Sequence, residues 1–146
     1  MLLGDYDKDK RNYRKGTTRD AKSLMLNDWV VNTEFGKNEI DRVECIEENR
    51  VWLEKGEFYT PINYIEPIPL TAEILEKNGF ANDYEHIYTI ATDFYDLDIE
   101  EISDSIWLIT HYPHDVIVPS SECSVCYVHE LQHALRLFGV NKEIEL

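Results

Sequence analysis

The stretch Pro61-Ile62-Asn63-Tyr64-Ile65-Glu66-Pro67-Ile68-Pro69-Leu70 sets prolines between large apolar residues. Proline has no amide hydrogen to give to a ladder, so this run suits a helical turn followed by an edge strand rather than a central strand. Upstream, short runs of strand-forming residues alternate with turn residues. Asn27-Asp28 makes a turn into Trp29-Val30-Val31, and Gly36-Lys37-Asn38 signals the next turn. Ile40 to Ile46 reads as a second strand. Glu47-Glu48-Asn49-Arg50 turns into Val51-Trp52-Leu53-Glu54, and Lys55-Gly56 opens a hairpin into Phe58-Tyr59. Five short strands with a helical turn before the last predict a small SH3-like β-barrel over residues 24–70.

Downstream, over residues 71–146, the pattern predicts an α+β segment. Thr71 caps a helix through Ala72 to Asn78 that stops at Gly79, where a residue without Cβ can turn left-handed and bring Phe80 back onto Leu75. Ile87 to Tyr95 reads as one strand. A turn at Ser103-Asp104-Ser105 leads into a second at Ile106 to Thr110, and Val116-Ile117-Val118 reads as a third. The chain closes on an amphipathic helix, about 125–138, with Val128, Leu131, Leu135 and Phe138 on one face. Gly139 ends it, with Val140 placed to touch Leu135.

The 146 residues include 43% hydrophobic and 12% aromatic residues, enough apolar surface to fold. The formal net charge is −15. A surface this negative repels phosphate backbones and anionic lipid, so nucleic-acid and membrane partners are not expected. Residues 1–22 hold seven bases against four acids, net +3, which leaves −18 on residues 23–146. The polar start, residues 1–23, reads as a flexible charged tail. Met1-Leu2-Leu3-Gly4 runs at once into charged residues, which predicts neither a signal peptide nor a membrane span and hence a cytoplasmic protein. Cys45, Cys123 and Cys126 are odd in number and sparse, as in a reducing compartment.

One motif carries chemistry. His129-Glu130-Leu131-Gln132-His133 matches H-E-x-x-H, in which histidines one helical turn apart bind zinc and the glutamate activates a metal-bound water. Only 13 residues follow His133, without the G-x-x-H continuation that brings a third ligand in metzincins. A second metal reading joins Cys123 and Cys126 to His129 and His133. If helical throughout, those four form a stripe ~15 Å long at 1.5 Å per residue, too extended to close a tetrahedron. The simpler expectation is an amphipathic helix with His129, His133 and Arg136 on its polar flank and no cofactor. Zinc on His129, His133 and Cys126, with Glu130 as base, is the enzymatic alternative.

Trp29, Trp52, Tyr59 and Tyr64 can line a ligand groove on a barrel, as aromatics do in peptide-binding barrels, although packing is the simpler role. A phosphate-bearing signal molecule would need basic residues, and Arg42, Arg50, Lys55 and Arg136 are the candidates in the body. His111 and His114 read as a solvated turn. No Gly-rich phosphate loop or nucleophile elbow is present.

The segments Asn63 to Phe80, with its Ile65-Glu66-Pro67-Ile68-Pro69-Leu70-Thr71 core, and Tyr127 to Leu137 resemble small uncharacterised proteins of Bacteroidales phages and mobile elements. The resemblance covers about residues 26–80 and 105–146. It implies a setting, a phage or mobile-element product in a bacterial host cytoplasm, and it implies that Gln is accepted at position 130, which speaks against peptidase chemistry. The expectation is therefore a non-enzymatic, counter-defence type binding protein that modulates or sequesters a host protein or a small signalling molecule. A zinc-dependent hydrolase and a virion or assembly component that forms a homo-oligomer are the alternatives.

Overall fold

A computed structural model describes residues 24–115, 117 and 119–146. The charged tail expected over residues 1–23 lies outside the described residues. So do Val116 and Val118 of the strand expected at 116–118, and Ile117 between them is an exposed turn residue. The architecture is mostly β: two antiparallel five-stranded sheets with two α-helices among the described residues. The described residues divide into two compact units, one ending at Ile68 and the other beginning at Pro69.

In the first unit β1 (Trp29–Asn32), β2 (Glu39–Glu47), β3 (Arg50–Leu53), β4 (Thr60–Pro61) and β5 (Ile65–Pro67) lie in the order β4-β3-β2-β1-β5. Each neighbouring pair is antiparallel. The proline-rich run behaves as its chemistry demands. Ile62–Tyr64 forms a single 3-10 turn, and the strand after it lies at the sheet edge, paired only with β1. Phe58 and Tyr59 do not form the expected strand. They stay in the link before β4, with Phe58 exposed, because only Thr60 and Pro61 come into register with β3. Among the described residues no ladder joins β4 to β5, so the expected barrel is seen as an open sheet.

Leu24, Val30, Val43, Val51, Leu53 and Ile65 form the core of this unit. Two buried acids stay inside because backbone amides satisfy them. Asp28 accepts from the Met25 amide at 2.7 Å, and Asp41 accepts from the amides of Arg42 at 2.8 Å and Lys55 at 3.2 Å. Burial nevertheless pushes the Asp41 carboxyl above its ordinary range.

The second unit is a meander of β6 (Ala81–Tyr84), β7 (Ile87–Ala91), β8 (Tyr95–Ser103), β9 (Ile106–Pro113) and β10 (Ser121–Val125), each paired with the next. The strand expected at 87–95 is two strands, because the Thr92 hydroxyl accepts from the Phe94 and Tyr95 amides and turns the chain. On β8, Leu97 and Ile99 face inward while Asp96, Asp98 and Glu100 alternate outward. Trp107 and Ile109 of β9 face the same interior, and the Trp107 indole donates to the Leu70 carbonyl at 3.1 Å.

The helices α1 (Ala72–Lys77) and α2 (Val128–Leu137) close this unit. Thr71 caps α1 by accepting from the Ile74 amide. α1 ends as expected: Phe80 donates to the Leu75 carbonyl and Gly79 to that of Glu76, with Gly79 at φ +86°. α2 repeats the arrangement with Val140 onto Leu135, Gly139 onto Arg136, and Gly139 at φ +77°. α2 begins at Val128, not Val125, because residues up to Val125 are spent pairing with β9. Val128, Leu131 and Leu135 are buried, and Phe138 stacks on His111 of β9 at 5.2 Å, so the helix lies over the inward face of the sheet. No described helix is long and apolar enough to cross a membrane.

Two amide side chains hold the C-terminal segment. Gln132 donates to the Lys142 carbonyl at 2.9 Å and accepts from the Ile144 amide at 2.7 Å. Asn78 donates to the Glu145 carbonyl and accepts from the Glu145 amide, both at 2.8 Å. Each primary amide stands in for a peptide group, and Ile144 is thereby buried. Asn78→Ala is expected to cost about 1–3 kcal/mol of stability. Hydrogen exchange at Glu145 should accelerate while α2 stays protected; unchanged exchange there would show that the segment is held otherwise.

His114 gives a pH dependence. Its ring contacts the Asp93 carbonyl at 3.0 Å and the Asp96 carboxylate at 3.1 Å, and these partners raise its pKa above the ordinary histidine value. Folding thus favours the protonated ring, so the contribution is full below the unfolded pKa and is lost as pH rises through the folded one. His111, lowered by burial, has the opposite sign but is common to wild type and variant. The stability advantage of wild type over His114→Gln should be larger near about pH 5.5 than near about pH 8 in urea titrations.

Candidate functional site

The H-E-x-x-H segment lies on α2 as expected, yet four of its five members have a folding task. Glu130 is the third residue of the helix, and its Oε1 accepts from the amides of Cys126 at 2.9 Å and Tyr127 at 3.2 Å. That is the reaching-back half of a capping box, with the carboxylate also favourably placed at the positive helix end. Leu131 is in the core, and Gln132 holds the C-terminal segment. His129 is 1% exposed, its ring stacked on Tyr127 at 5.9 Å and met edge-on by His133 at 5.6 Å.

Cys123 and Cys126 do not continue the helix. Cys123 lies on β10 opposite Ile109, where burial pushes its thiol up, and the Cys126 carbonyl accepts from the Leu70 amide. The helical stripe of four ligands is therefore not formed. Among the described residues no group of three or more His, Cys, Asp or Glu side chains is placed to hold a metal.

The other candidates lie on the N-terminal unit. The 3-10 turn at Ile62–Tyr64 is bonded on both sides: the Ile62 amide donates to the Asn49 carbonyl at 2.9 Å, and the Tyr64 carbonyl accepts from the Thr33 amide at 2.8 Å and hydroxyl at 2.9 Å. These bonds tie both the β1–β2 link and the β2–β3 turn to the 3-10 turn. Tyr64 is 40% exposed there. Phe35, in the β1–β2 link, is 86% exposed and has φ +59°. A bulky residue in this left-handed region is strained, and here its side chain gains no burial in return.

Beside the β2–β3 turn, Trp52 and Tyr59 meet edge-to-face with centroids 5.1 Å apart. The Arg50 guanidinium lies over the Tyr59 ring at 4.2 Å and pairs with Glu47 at 2.5 Å. The Tyr59 hydroxyl lies 3.9 Å from the Cys45 sulfur and on the side of the Glu47 carboxylate. Glu47 first, then Cys45, pushes the phenol up to about 12, while the same hydroxyl and then Arg50 hold the Glu47 carboxyl low.

The sequence-predicted residues therefore fall into separate groups. Trp52 and Tyr59 come together, Tyr64 sits in the 3-10 turn tied to Thr33, and Trp29 packs instead under the Arg42 guanidinium at 4.8 Å. Arg136 belongs to the other unit, 3.6 Å from Glu143. Sequence reasoning missed Phe35, Glu47 and the placement of Arg50 over Tyr59. Phe35 had a signal: an aromatic immediately before Gly36 in a turn, where folding alone gives an apolar ring little to do.

If Glu130 acts as a cap, Glu130→Ala should lower stability by about 1 kcal/mol, whereas Glu130→Gln, which keeps an acceptor oxygen, should change it by less than about 0.5 kcal/mol in urea unfolding. Equal losses would show that the charge, not the acceptor, matters. No protein family matches this chain, and comparison with characterised proteins and with solved structures finds no significant match.

Proposed function

We propose that this chain is a non-catalytic binding protein of phage or mobile-element setting that occupies a host protein in the bacterial cytoplasm. For its N-terminal unit we propose an SH3-like barrel. Supporting this are the strand order, the register shift between Val43 and Cys45 that bends β2, and the 3-10 turn before an edge strand that pairs with β1.

The observation that carries the reading is Phe35. Left-handed backbone at a bulky residue opposes folding, and an 86% exposed ring recovers none of that by burial. Such a residue has its reason outside the unit, in a partner that covers it. Tyr64, half-exposed and tied to Thr33, and the Trp52–Tyr59 pair are further aromatic rings that the aliphatic core of the unit does not take up. Residues 24–68 carry ten acids against four bases, so the complementary partner surface is basic, and a host protein fits better than a phosphate-bearing signal molecule. Hydrolase chemistry is less well served, because the one base in the H-E-x-x-H segment is held by two backbone amides.

The test is affinity capture from Bacteroidales host lysate, with wild type compared against Phe35→Asn. Asn accepts left-handed backbone, so the variant should be as stable as wild type or up to about 1 kcal/mol more stable, yet should lose the captured host protein. A destabilised variant would make Phe35 a packing residue. Stoichiometric zinc on untagged wild type that is lost in His133→Ala, or a self-assembled oligomer that captures nothing, would replace this reading with the hydrolase or the assembly component.

A further inference from the structure

The cluster beside the β2–β3 turn is built like a receptor for a planar cation, and it already holds one. The Arg50 guanidinium lies over the Tyr59 face at 4.2 Å while its Nη2 and Nε reach one Glu47 oxygen at 2.5 and 2.6 Å. Trp52 braces the Tyr59 ring edge-to-face, and the Glu47 carboxylate stands on the side of its hydroxyl, so an aromatic face and a carboxylate are offered together. An aromatic face with a carboxylate at its rim selects a delocalised cation that can stack and fork hydrogen bonds at once, which is the chemistry of arginine rather than lysine.

We propose that Glu47, Trp52 and Tyr59 form a seat for an arginine side chain of the protein partner, and that Arg50 is an internal stand-in that the incoming guanidinium displaces. This deepens the binding-protein reading above and rests on it. Exchange is energetically cheap. Arg50 and Glu47 are half-exposed, 50% and 43%, and an exposed ion pair three residues apart contributes little. The displaced Arg50 returns to water, where a guanidinium on a flexible stem is well solvated, while the partner's arginine makes the same stack and the same hydrogen bonds. Specificity follows from the geometry: citrulline has arginine's shape but no charge, so it loses both the ring attraction and the charged hydrogen bonds.

The experiment is an NMR titration of the labelled full chain with a short peptide carrying one central arginine, and with the same peptide carrying citrulline. The arginine peptide should shift the Trp52 indole signal saturably in wild type, and should bind up to about fivefold more tightly to Arg50→Ala, the worth of an exposed ion pair. Tyr59→Ala in the Arg50→Ala background should abolish the shift, as should citrulline. Arg50→Gln serves as the second variant if Arg50→Ala is unfolded by circular dichroism. No saturable shift in a folded Arg50 variant, or equal binding of arginine and citrulline peptides, overturns the seat. Host-protein capture by the Tyr59→Ala single variant separates the two ideas. Capture retained without arginine binding refutes the seat and leaves the binding protein, whereas failure of wild type to capture refutes the broader reading whatever the peptide does.

Discussion

Neither sheet in this chain has apolar residues for two faces, and the rest of the structure follows from that shortage. On β8, Leu97 and Ile99 alternate with Asp96, Asp98 and Glu100, so one face is apolar and the other carries charge. The C-terminal unit buries its single apolar face under α2, through Val128, Leu131 and Leu135 and the Phe138–His111 stack. The cover is ten residues long, so the chain after it also lies down and places Ile144 in the interior. An extended segment laid across a helix has no strand to pair with. Asn78 and Gln132 supply the missing peptide-like partners, which is why two amides are buried in so acidic a protein.

That arrangement changes the meaning of the H-E-x-x-H segment. A glutamate at the third helical position and a histidine at the second are what a capped, core-packed helix start can use, and the same spacing that aligns metal ligands in a zincin here aligns a cap, a buried ring and an amide staple. The pattern describes one helical turn and is silent about what faces it. What faces it is Tyr127, the Cys126 and Tyr127 amides, and the backbone of Lys142 and Ile144.

The N-terminal unit distributes its aromatics differently. Its core is aliphatic, and Trp29, Trp52, Tyr59 and Tyr64 are left half-buried or exposed. The 3-10 turn ties two loops together through hydrogen bonds from Ile62 to Asn49 and from Thr33 to Tyr64. In the proposed reading, an acidic unit with aromatic rings left outside its core meets a basic partner surface, the rings contributing contact area and the charge contributing orientation and association rate.

By itself the sequence determined the elements whose cause is local. Both glycine-terminated helix ends, the Thr71 cap, the 3-10 turn in the proline-rich run and the edge position of β5 were legible, because each depends on a few neighbouring residues with one special backbone requirement. β8 was legible in principle from its strict alternation, but the Ile87–Tyr95 run was read through a turn that only the Thr92 hydroxyl makes. β6, β10 and the true start of α2 were decided by tertiary structure, since pairing with β7 and β9 selects exposed or polar residues that have no strand pattern of their own. The fates of Glu130, Gln132, Phe35 and Arg50 were decided there too. A side chain's chemistry is set by what faces it, and for these residues that partner comes from chain folding, not from spacing along one helix or hairpin.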